Sequence, residues 1–269
     1  MTTPSSPGSS GPLEQSPHGV VAEPAWTRAL DTVRQHALLL ETPEGSGTAF
    51  FLAPPDKNQV VGIATARHVV ERAVRWVQPI RLSSVERGKS VLLMPGQFSF
   101  HASTSLDLAL LRISYSGRGR LQSQLQGEDP PIPLPSTFLP HLDQVRLVPG
   151  EEIGWCGYPA VAPRTLCFFS GRVSAWLEEE LGYLVDGVAI NGVSGGPAFV
   201  HEESTPAVLV GVVTAYIPNR ATGEALPGVS LVRAINPYVS LFNKLEGEPA
   251  DGTSDAGGDD SATSQGLSP

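Results

Sequence analysis

The sequence predicts an all-β protein, and three observations support this. Between residues 25 and 245 the chain carries many short runs rich in Val, Ile and Leu, punctuated by Gly, Pro and Asn, which is the pattern of strands joined by turns. Little helical pattern separates these runs, so the alternation of strands and helices that βαβ units show is missing. The length of 269 residues suits one or two domains, and all-β barrels often reach it as a single unit. A sandwich or a barrel is therefore expected.

The predicted elements follow one another along this central region. The first is a helix, because Trp26, Leu30 and Val33 recur at the spacing of one helical face. Nine apolar runs are expected to be strands: 36–41, 47–53, 59–65, 90–96, 108–114, 152–158, 172–178, 207–217 and 229–235. A short helix is expected at 237–245, with Pro237 near its start. Strands therefore outnumber helices, as an all-β fold requires.

The two ends of the chain differ in composition from its centre. Residues 1–24 are rich in Ser, Pro and Gly, residues 246–269 are polar and acidic, and neither segment contains Lys or Arg. Such segments bury too little apolar surface to order themselves, so both are expected to be disordered tails. They account for most of the net charge of -9, since the region between them holds 19 acidic and 18 basic residues. A near-neutral body lacks the clustered basic face of a nucleic-acid-binding protein.

The sequence gives no sign of a membrane protein. No apolar run approaches the roughly 18 residues that a membrane helix needs. The N-terminus has neither the basic start nor the apolar segment of a secretory signal peptide. We therefore expect a cytoplasmic protein without a membrane partner.

The cysteines and histidines do not form a metal-binding pattern. Cys156 and Cys167 flank a predicted hairpin loop without the second pair of ligands that a tetrahedral zinc site requires. Two small buried thiols fit a reducing compartment better than a disulfide, although cross-strand pairing of the two stays open. We expect neither a metal nor another cofactor.

Three segments carry polar residues that could act together in catalysis. His68 follows an apolar run in ATARHVVERA, Asp107 precedes one in STSLDLALLRI, and Ser194 lies among glycines in NGVSGGPAFV. Taken singly, they are most simply a buried histidine, a turn-forming aspartate and a serine in a tight turn. A serine hydroxyl is a poor nucleophile at neutral pH unless a base accepts its proton. A functional hypothesis therefore depends on the combination.

Taken together, these segments resemble the trypsin-like serine peptidases, and specifically the bacterial HtrA-type protease domain without its PDZ domains. The motifs behind the resemblance are G-S-G-T-A-F-F at 45–51, T-A-R-H-V-V at 65–70, L-D-L-A-L-L at 106–111, G-Y-P at 157–159 and G-V-S-G-G-P at 192–197. They occur in the family's order of His, Asp and Ser, and the resemblance covers roughly residues 34–243. It implies two six-stranded antiparallel β-barrels of the chymotrypsin type with a boundary near 115–145, a short N-terminal helix and a C-terminal helix.

The resemblance also implies a role for each residue. Ser194 would attack the peptide carbonyl, and His68 would accept its proton and return it to the leaving amine. Asp107 would hold the histidine ring in the required tautomer. The backbone N–H groups of Gly192 and Ser194 would bind the developing oxyanion, and Gly192 has no Cβ to oppose the backbone conformation needed there. These roles predict a serine endopeptidase that acts through an acyl-enzyme.

One residue departs from the pattern of many trypsin-like enzymes. Those enzymes carry an Asp before the serine, which pairs with a new N-terminal amine after zymogen cleavage. Here the residue is Val193, and a valine cannot form that ion pair. We therefore expect activity without N-terminal processing.

The resemblance places the primary substrate pocket beside the serine. Its residues would be Val188, Ala189, Ile190, Thr214, Ala215 and Tyr216. None is charged, so a pocket for Lys or Arg would lack its anion, and Tyr216 would narrow the space. Small or medium aliphatic P1 residues are expected. The alternative is that these residues belong only to a barrel core.

Two rival functions stay open. The first is a peptide-binding module on the same fold, either without turnover or activated by a partner. The second is an esterase or acyl transferase of the α/β-hydrolase type, whose G-x-S-x-G motif matches the surroundings of Ser194. That fold orders its triad Ser, Asp, His and alternates helices with strands, and this chain does neither. A protease without PDZ domains is expected to act on few dedicated protein or peptide substrates, under the control of an activating or co-encoded partner.

Overall fold

The main elements of the described part of the chain are two helices and thirteen strands. The structure is a computed structural model that describes residues 25–52, 62–113, 124–125, 147–202, 207–218 and 225–238. The helices are α1 (Ala25–Arg34) and α2 (Arg67–Arg75). The strands of the first half are β1 (Ala37–Thr42), β2 (Gly45–Leu52), β3 (Gly62–Ala66), β4 (Ile80–Ser84), β5 (Lys89–Leu93), β6 (Phe98–Ser103) and β7 (Leu108–Ile113). Those of the second half are β8 (Glu152–Gly157), β9 (Cys167–Leu177), β10 (Gly182–Asp186), β11 (Pro197–Val200), β12 (Val208–Pro218) and β13 (Ala225–Ala234).

The first half forms one antiparallel sheet in the order β5-β4-β1-β2-β3-β7-β6. Its central strands are buried on both faces. Along β2, Ala49 and Phe51 face a core that includes apolar residues of α2, whereas Phe50 and Leu52 face a second cluster shared with the other half. Burial on both faces explains why the sequence shows continuous apolar runs here instead of alternation.

The second half closes into a barrel in the order β10-β13-β12-β11-β8-β9. Its core contains the side chains of Trp155, Val193 and Val213, among others. The pairing register shifts between Ala198 and Phe199, and such a bulge bends its strand and increases the local twist. Closure of the barrel removes the unpaired strand edges that an open sheet leaves.

An apolar cluster joins the two halves. It includes Val33 of α1, Phe50 of β2, Phe199 of β11 and Tyr238 near the end of the described chain. All four are almost inaccessible to solvent. Burial of apolar surface of this kind contributes about 25 cal/mol per Å², so the cluster holds β2 firmly against the second barrel.

The predicted all-β, chymotrypsin-like fold class is confirmed. Each of the nine predicted strand segments overlaps an observed strand, and α1 confirms the predicted N-terminal helix. The structure refines the first half, where the described strands form a sheet of seven instead of a closed barrel of six. The sequence does not predict β4, β6, β10 or β11, because each of these strands carries an apolar run of at most three residues.

Three predicted features lie wholly or largely outside the described residues. They are the tails at 1–24 and 246–269, the boundary near 115–145 and the C-terminal helix at 237–245. At the end of the described chain, residues 236–238 are helical.

Both cysteines are free thiols. The antiparallel pairing of β8 with β9 sets Cys156 opposite Phe168 and Cys167 opposite Gly157. The two cysteines are thus one position out of register, and their side chains point to opposite faces of the sheet. Burial raises the pKa of the Cys156 thiol well above its usual range. Cys156 is therefore a packed apolar side chain, as predicted, whereas Cys167 is only partly buried.

Candidate active site

His68 is the second residue of α2, directly after the buried strand β3. The backbone at Ala66 is extended, with φ -75° and ψ 142°, and the helix begins at Arg67. The first N–H groups of a helix have no acceptor within it, and Asp107 supplies acceptors for two of them. The Asp107 carbonyl accepts from the Arg67 N–H at 2.9 Å, and its Oδ1 accepts from the His68 N–H at 2.9 Å. A carboxylate here is also favoured by the positive end of the helix dipole.

Asp107 binds the ring of His68 as well. Its Oδ2 lies 2.7 Å from His68 Nδ1. A carboxylate only accepts hydrogen bonds, so Nδ1 carries the proton and Nε2 is the basic nitrogen. The His68 side chain is 50% exposed and that of Asp107 29%, which leaves the pair accessible from one side. The structure thus brings two of the three predicted catalytic residues, His68 and Asp107, into hydrogen-bond contact.

Ser194 lies on the loop between β10 and β11, next to two glycines with left-handed backbone. The φ angle is +93° at Gly192 and +86° at Gly195. A Cβ on Gly192 would overlap the carbonyl oxygen of Tyr158, and one on Gly195 would overlap that of Thr48. Neither residue could carry a side chain without movement of the backbone. Packing and conformation together explain the glycines around Ser194.

Each backbone carbonyl of residues 190–194 accepts a hydrogen bond. The donors are the Val193 N–H for Ile190 at 3.1 Å, the Ala160 N–H for Asn191 at 2.7 Å, Thr48 Oγ1 for Gly192 at 2.8 Å, the Gly196 N–H for Val193 at 2.9 Å and the Thr48 N–H for Ser194 at 2.8 Å. A trans peptide points its N–H away from its C=O. The bonds to Asn191 and Val193 therefore also set the directions of the next N–H groups, those of Gly192 and Ser194.

Those two N–H groups, which the sequence predicts as the oxyanion hole, are uncommitted in the described structure. The N–H groups of Val193, Gly195 and Gly196 each donate to a backbone carbonyl. The N–H groups of Gly192 and Ser194 donate to no acceptor among the residues described. Both donors are therefore left without a partner within the described part of the chain.

The Ser194 loop lies against the start of α2. A Cβ on Gly47 would be 2.6 Å from Val69 Cγ1 and 3.1 Å from the carbonyl oxygen of Ser194. A Cβ on Gly195 would be 2.9 Å from the nitrogen of Ala66. Ala66 and Val69 flank the predicted histidine base in the sequence. The histidine and serine segments are therefore direct neighbours.

Val193 is fully buried in the core of the second barrel. Its Cα and Cγ1 would lie 3.0 and 3.1 Å from a Cβ on Gly157. The residue before the serine thus packs against the barrel, and burial of an apolar side chain anchors the loop where many trypsin-like enzymes use an ion pair.

Residues 47–212 match the family model described as the trypsin-like peptidase domain. The chain belongs to this family. The matched range contains all three predicted catalytic residues of the peptidase, and the predicted family is confirmed. Among curated proteins, no sequence matches the peptidase significantly.

Solved structures share the fold of the peptidase. It is similar to Deg5, with a TM-score of 0.55 and 17% identity over 80% of this chain and 91% of that one. It is also similar to a serine endoprotease from Yersinia pestis, with a TM-score of 0.57 and 16% identity over 84% of this chain and 67% of that one. At these identities, the likeness establishes a common fold.

The predicted substrate pocket is partly described. Val188 is 48% exposed, whereas Ala189 and Ile190 are half-buried and pack on the barrel core. Thr214 is buried, and its Oγ1 has no hydrogen-bond partner in the described part of the peptidase. Only the backbone, in β12, is described for the other two residues, Ala215 and Tyr216. Of the predicted pocket residues, Ala189 and Ile190 therefore also pack against the barrel core.

Sequence reasoning missed two buried threonines, of which only Thr48 bonds to the serine loop. Thr48 in β2 bonds to the serine loop, and Thr65 in β3 donates its Oγ1 to the Thr48 carbonyl at 2.7 Å. Tyr238 Oη donates in turn to the Thr65 carbonyl at 2.5 Å, and burial raises the pKa of Tyr238 well above its usual range. The sequence signal is a hydroxyl residue inside an apolar strand. Such a pattern cannot identify an acceptor 144 residues away.

The described ranges give no indication of a metal site or of a membrane span. They contain no group of three or more His, Cys, Asp or Glu residues that could hold a metal ion. No helix within them is long and apolar enough to cross a membrane.

Proposed function

We propose that this peptidase is a serine endopeptidase that cleaves protein substrates with a triad of Ser194, His68 and Asp107. The observation that carries the proposal is the 2.7 Å hydrogen bond between His68 Nδ1 and Asp107 Oδ2. Because this bond occupies Nδ1, the proton of the serine hydroxyl would be taken up at Nε2. The carboxylate then stabilises the imidazolium that forms.

The reaction would proceed in two steps, acylation of the serine and hydrolysis of the acyl-enzyme. Ser194 Oγ adds to the peptide carbonyl as its proton moves to His68, and collapse of the tetrahedral intermediate breaks the C–N bond. The leaving amine takes the proton from His68, and an acyl-enzyme remains. A water molecule then repeats the sequence, with the acyl–oxygen bond as the one that breaks.

The uncommitted N–H groups of Gly192 and Ser194 would stabilise the negative charge on the carbonyl oxygen in both steps. Preorganised donors of this kind cost no reorganisation during the reaction, and the loss of one typically lowers kcat by about 10²–10³-fold. The bonds to the carbonyls of Asn191 and Val193 support the proposal, because they orient both donors before substrate binds.

Activation by a new N-terminal amine is not part of this proposal. Burial of Val193 supplies the anchor that the Asp ion pair provides in many trypsin-like enzymes. We expect full-length protein to be active without trimming. A protein that gains turnover only after its N-terminus is cut to a defined residue would contradict this.

The resemblance to the HtrA-type domain and the uncharged pocket support a narrow specificity. We propose small or medium aliphatic P1 residues and few dedicated protein substrates. A peptide library would show cleavage after Val or Ala, with little after Lys or Arg. Cleavage mainly after Arg, or broad degradation of casein without any added factor, would contradict this part of the proposal.

Labelling with a fluorophosphonate probe tests the triad. Wild-type protein should be labelled, whereas Ser194→Ala and His68→Ala should not, because the probe reacts only with an activated serine. Labelling that persists in Ser194→Ala would assign the nucleophile to another residue. Labelling that appears only after addition of a cell extract would favour the partner-activated module over a self-sufficient enzyme.

A further inference from the structure

We propose that Thr48 is a positioning residue for the oxyanion hole, so that a side chain of the first sheet sets the geometry of a loop in the second barrel. This inference rests on the proposed peptidase function and adds to it a residue that acts through Gly192.

Every polar atom of Thr48 is used. Its N–H donates to the Ser194 carbonyl at 2.8 Å, and its carbonyl accepts from Thr65 Oγ1 at 2.7 Å. Its Oγ1 donates to the Gly192 carbonyl at 2.8 Å and accepts from the Tyr158 N–H at 2.9 Å. The residue is fully buried, so water cannot replace a lost partner.

The hydroxyl closes a ring of hydrogen bonds around the oxyanion loop. It holds Gly192 on one side and Tyr158 on the other. Two residues after Tyr158, the Ala160 N–H donates to the Asn191 carbonyl at 2.7 Å. The peptide between Asn191 and Gly192, whose N–H would bind the oxyanion, therefore lies inside a ring that contains the Thr48 hydroxyl.

Only a hydroxyl can fill this position. One atom must donate to a carbonyl and accept from an N–H at the same time, and a threonine or serine oxygen does both. The space is tight, since a Cβ on Gly157 would lie 2.7 Å from Thr48 Oγ1. A valine has the same shape but would leave one buried acceptor and one buried donor without partners, and unmet bonds of this kind favour rearrangement of the backbone.

A positioning role differs from a merely structural one in what it changes. If the hydroxyl orients the Gly192 N–H, its loss weakens the binding of a tetrahedral oxyanion more than the binding of the substrate. kcat should then fall while KM stays nearly constant. A merely structural residue would lower the melting temperature and the fraction of active protein, but not the turnover of each active site.

The experiment compares Thr48→Val with Thr48→Ser and with the matched control Thr65→Val. The control removes one buried hydrogen bond to the same residue but leaves the Thr48 hydroxyl in place. For each protein, the concentration of active sites is measured by end-point labelling with the fluorophosphonate probe. kcat and KM are then measured on a fluorogenic peptide with an aliphatic P1 residue, together with inhibition by the boronic acid of the same peptide and the melting temperature.

Thr48→Val should lower kcat per labelled site roughly 10–100-fold, less than the full loss of an oxyanion donor, with KM within about threefold. Its inhibition by the boronate should weaken by a similar factor. Thr48→Ser should restore most of kcat. Thr65→Val, which loses one buried hydrogen bond where Thr48→Val loses two, should lower the melting temperature with less than about a threefold loss of kcat. Thr48→Cys, whose thiol bonds weakly, should lie between Ser and Val and replaces Val if that variant does not fold.

Equal kcat per labelled site in Thr48→Val and wild type would overturn this inference but not the proposed function. A loss of kcat in Thr65→Val as large as that in Thr48→Val would do the same. A wild-type protein that neither reacts with the probe nor hydrolyses peptides would overturn the proposed function, and this inference with it.

Discussion

The two halves of the molecule hold their parts of the site by different means. In the first half, the site depends on side chains, since Asp107 contacts both the ring and the N–H of a histidine that is half exposed. In the second half, it depends on backbone, since glycines with φ near +90° and carbonyls with fixed donors shape the loop around Ser194.

Because of this difference, a substitution at the site in the first half is expected to change activity without changing stability. In the second half, a substitution is expected to change both. A polar side chain that is partly exposed can be changed at little cost to the fold. A loop in which every carbonyl from residue 190 to residue 194 is bonded cannot change shape without loss of hydrogen bonds. The expected effects of substitutions follow from this distinction.

The largest effect is expected from Asp107→Asn in the first half. An Asn tolerates the left-handed backbone at φ +54°, so the fold and the melting temperature should be retained. If the amide oxygen keeps its bond to the His68 N–H, the amide nitrogen faces Nδ1 and stabilises the wrong ring tautomer. kcat should fall about 10⁴-fold. A fall of less than tenfold would show that Asp107 does not orient the histidine.

The next effect is expected from Gly192→Ala in the second half. The new Cβ meets the carbonyl oxygen of Tyr158, and the left-handed backbone alone costs about 1–2 kcal/mol for a residue with a side chain. kcat should fall about 10²–10³-fold through displacement of one oxyanion donor. Unlike Asp107→Asn, this variant should also unfold at a lower urea concentration. Lost activity with unchanged stability would contradict the coupling described for this half.

Acid should weaken the fold through His36, which precedes β1. Burial, with a smaller effect of the Arg87 charge, lowers the pKa of His36 to about 4. The pKa of a histidine in the unfolded chain is about 6.5. Between about pH 6.5 and pH 4, His36 is therefore protonated in the unfolded chain and neutral in the folded chain. The free energy of unfolding should therefore fall as the pH drops through this window, by up to about 3 kcal/mol.

Urea unfolding of wild type and His36→Leu at pH 7 and pH 4.5 measures this contribution. The variant should lose less stability than wild type between the two pH values. Equal losses would show that His36 is protonated as readily in the folded state as in the unfolded state.

The smallest effect is expected from Arg72→Ala on the surface of α2. Arg72 Nη1 lies 2.6 Å from Glu44 Oε2, but the arginine side chain is 75% exposed, and exposed ion pairs contribute about 0–1 kcal/mol. The melting temperature should change little and kcat should stay within about twofold. A tenfold loss of kcat would mean that this ion pair, and not Asp107, positions the start of the helix.

Local sequence patterns were sufficient for the elements with strong signals. The helical spacing of Trp26, Leu30 and Val33 predicts α1, and continuous apolar runs predict the central strands. The family motifs identify the histidine and aspartate that the structure brings into contact. They also place Ser194 among glycines whose conformations and packing exclude side chains.

The remaining features depend on contacts between residues far apart in the chain. Nothing in the motif G-S-G-T-A-F-F shows that Thr48 bonds to a glycine 144 residues later. Two strands of the first sheet, β4 and β6, were missed, because a strand such as β4, IRLSS, gains its burial from its neighbours and not from its own apolar content. Tertiary packing decides such cases.

The hydrogen bonds between Thr48 of β2 and the Ser194 loop have a consequence for a chain that is divided into two polypeptides. Two polypeptides, one ending after β7 and one beginning before β8, would each lack part of the hydrogen bonding that shapes the Ser194 loop. Neither would hydrolyse a substrate alone, and their reassembly would restore turnover. The hydrolytic signal would then report on how closely two fused proteins approach each other, which makes the chain a candidate split reporter.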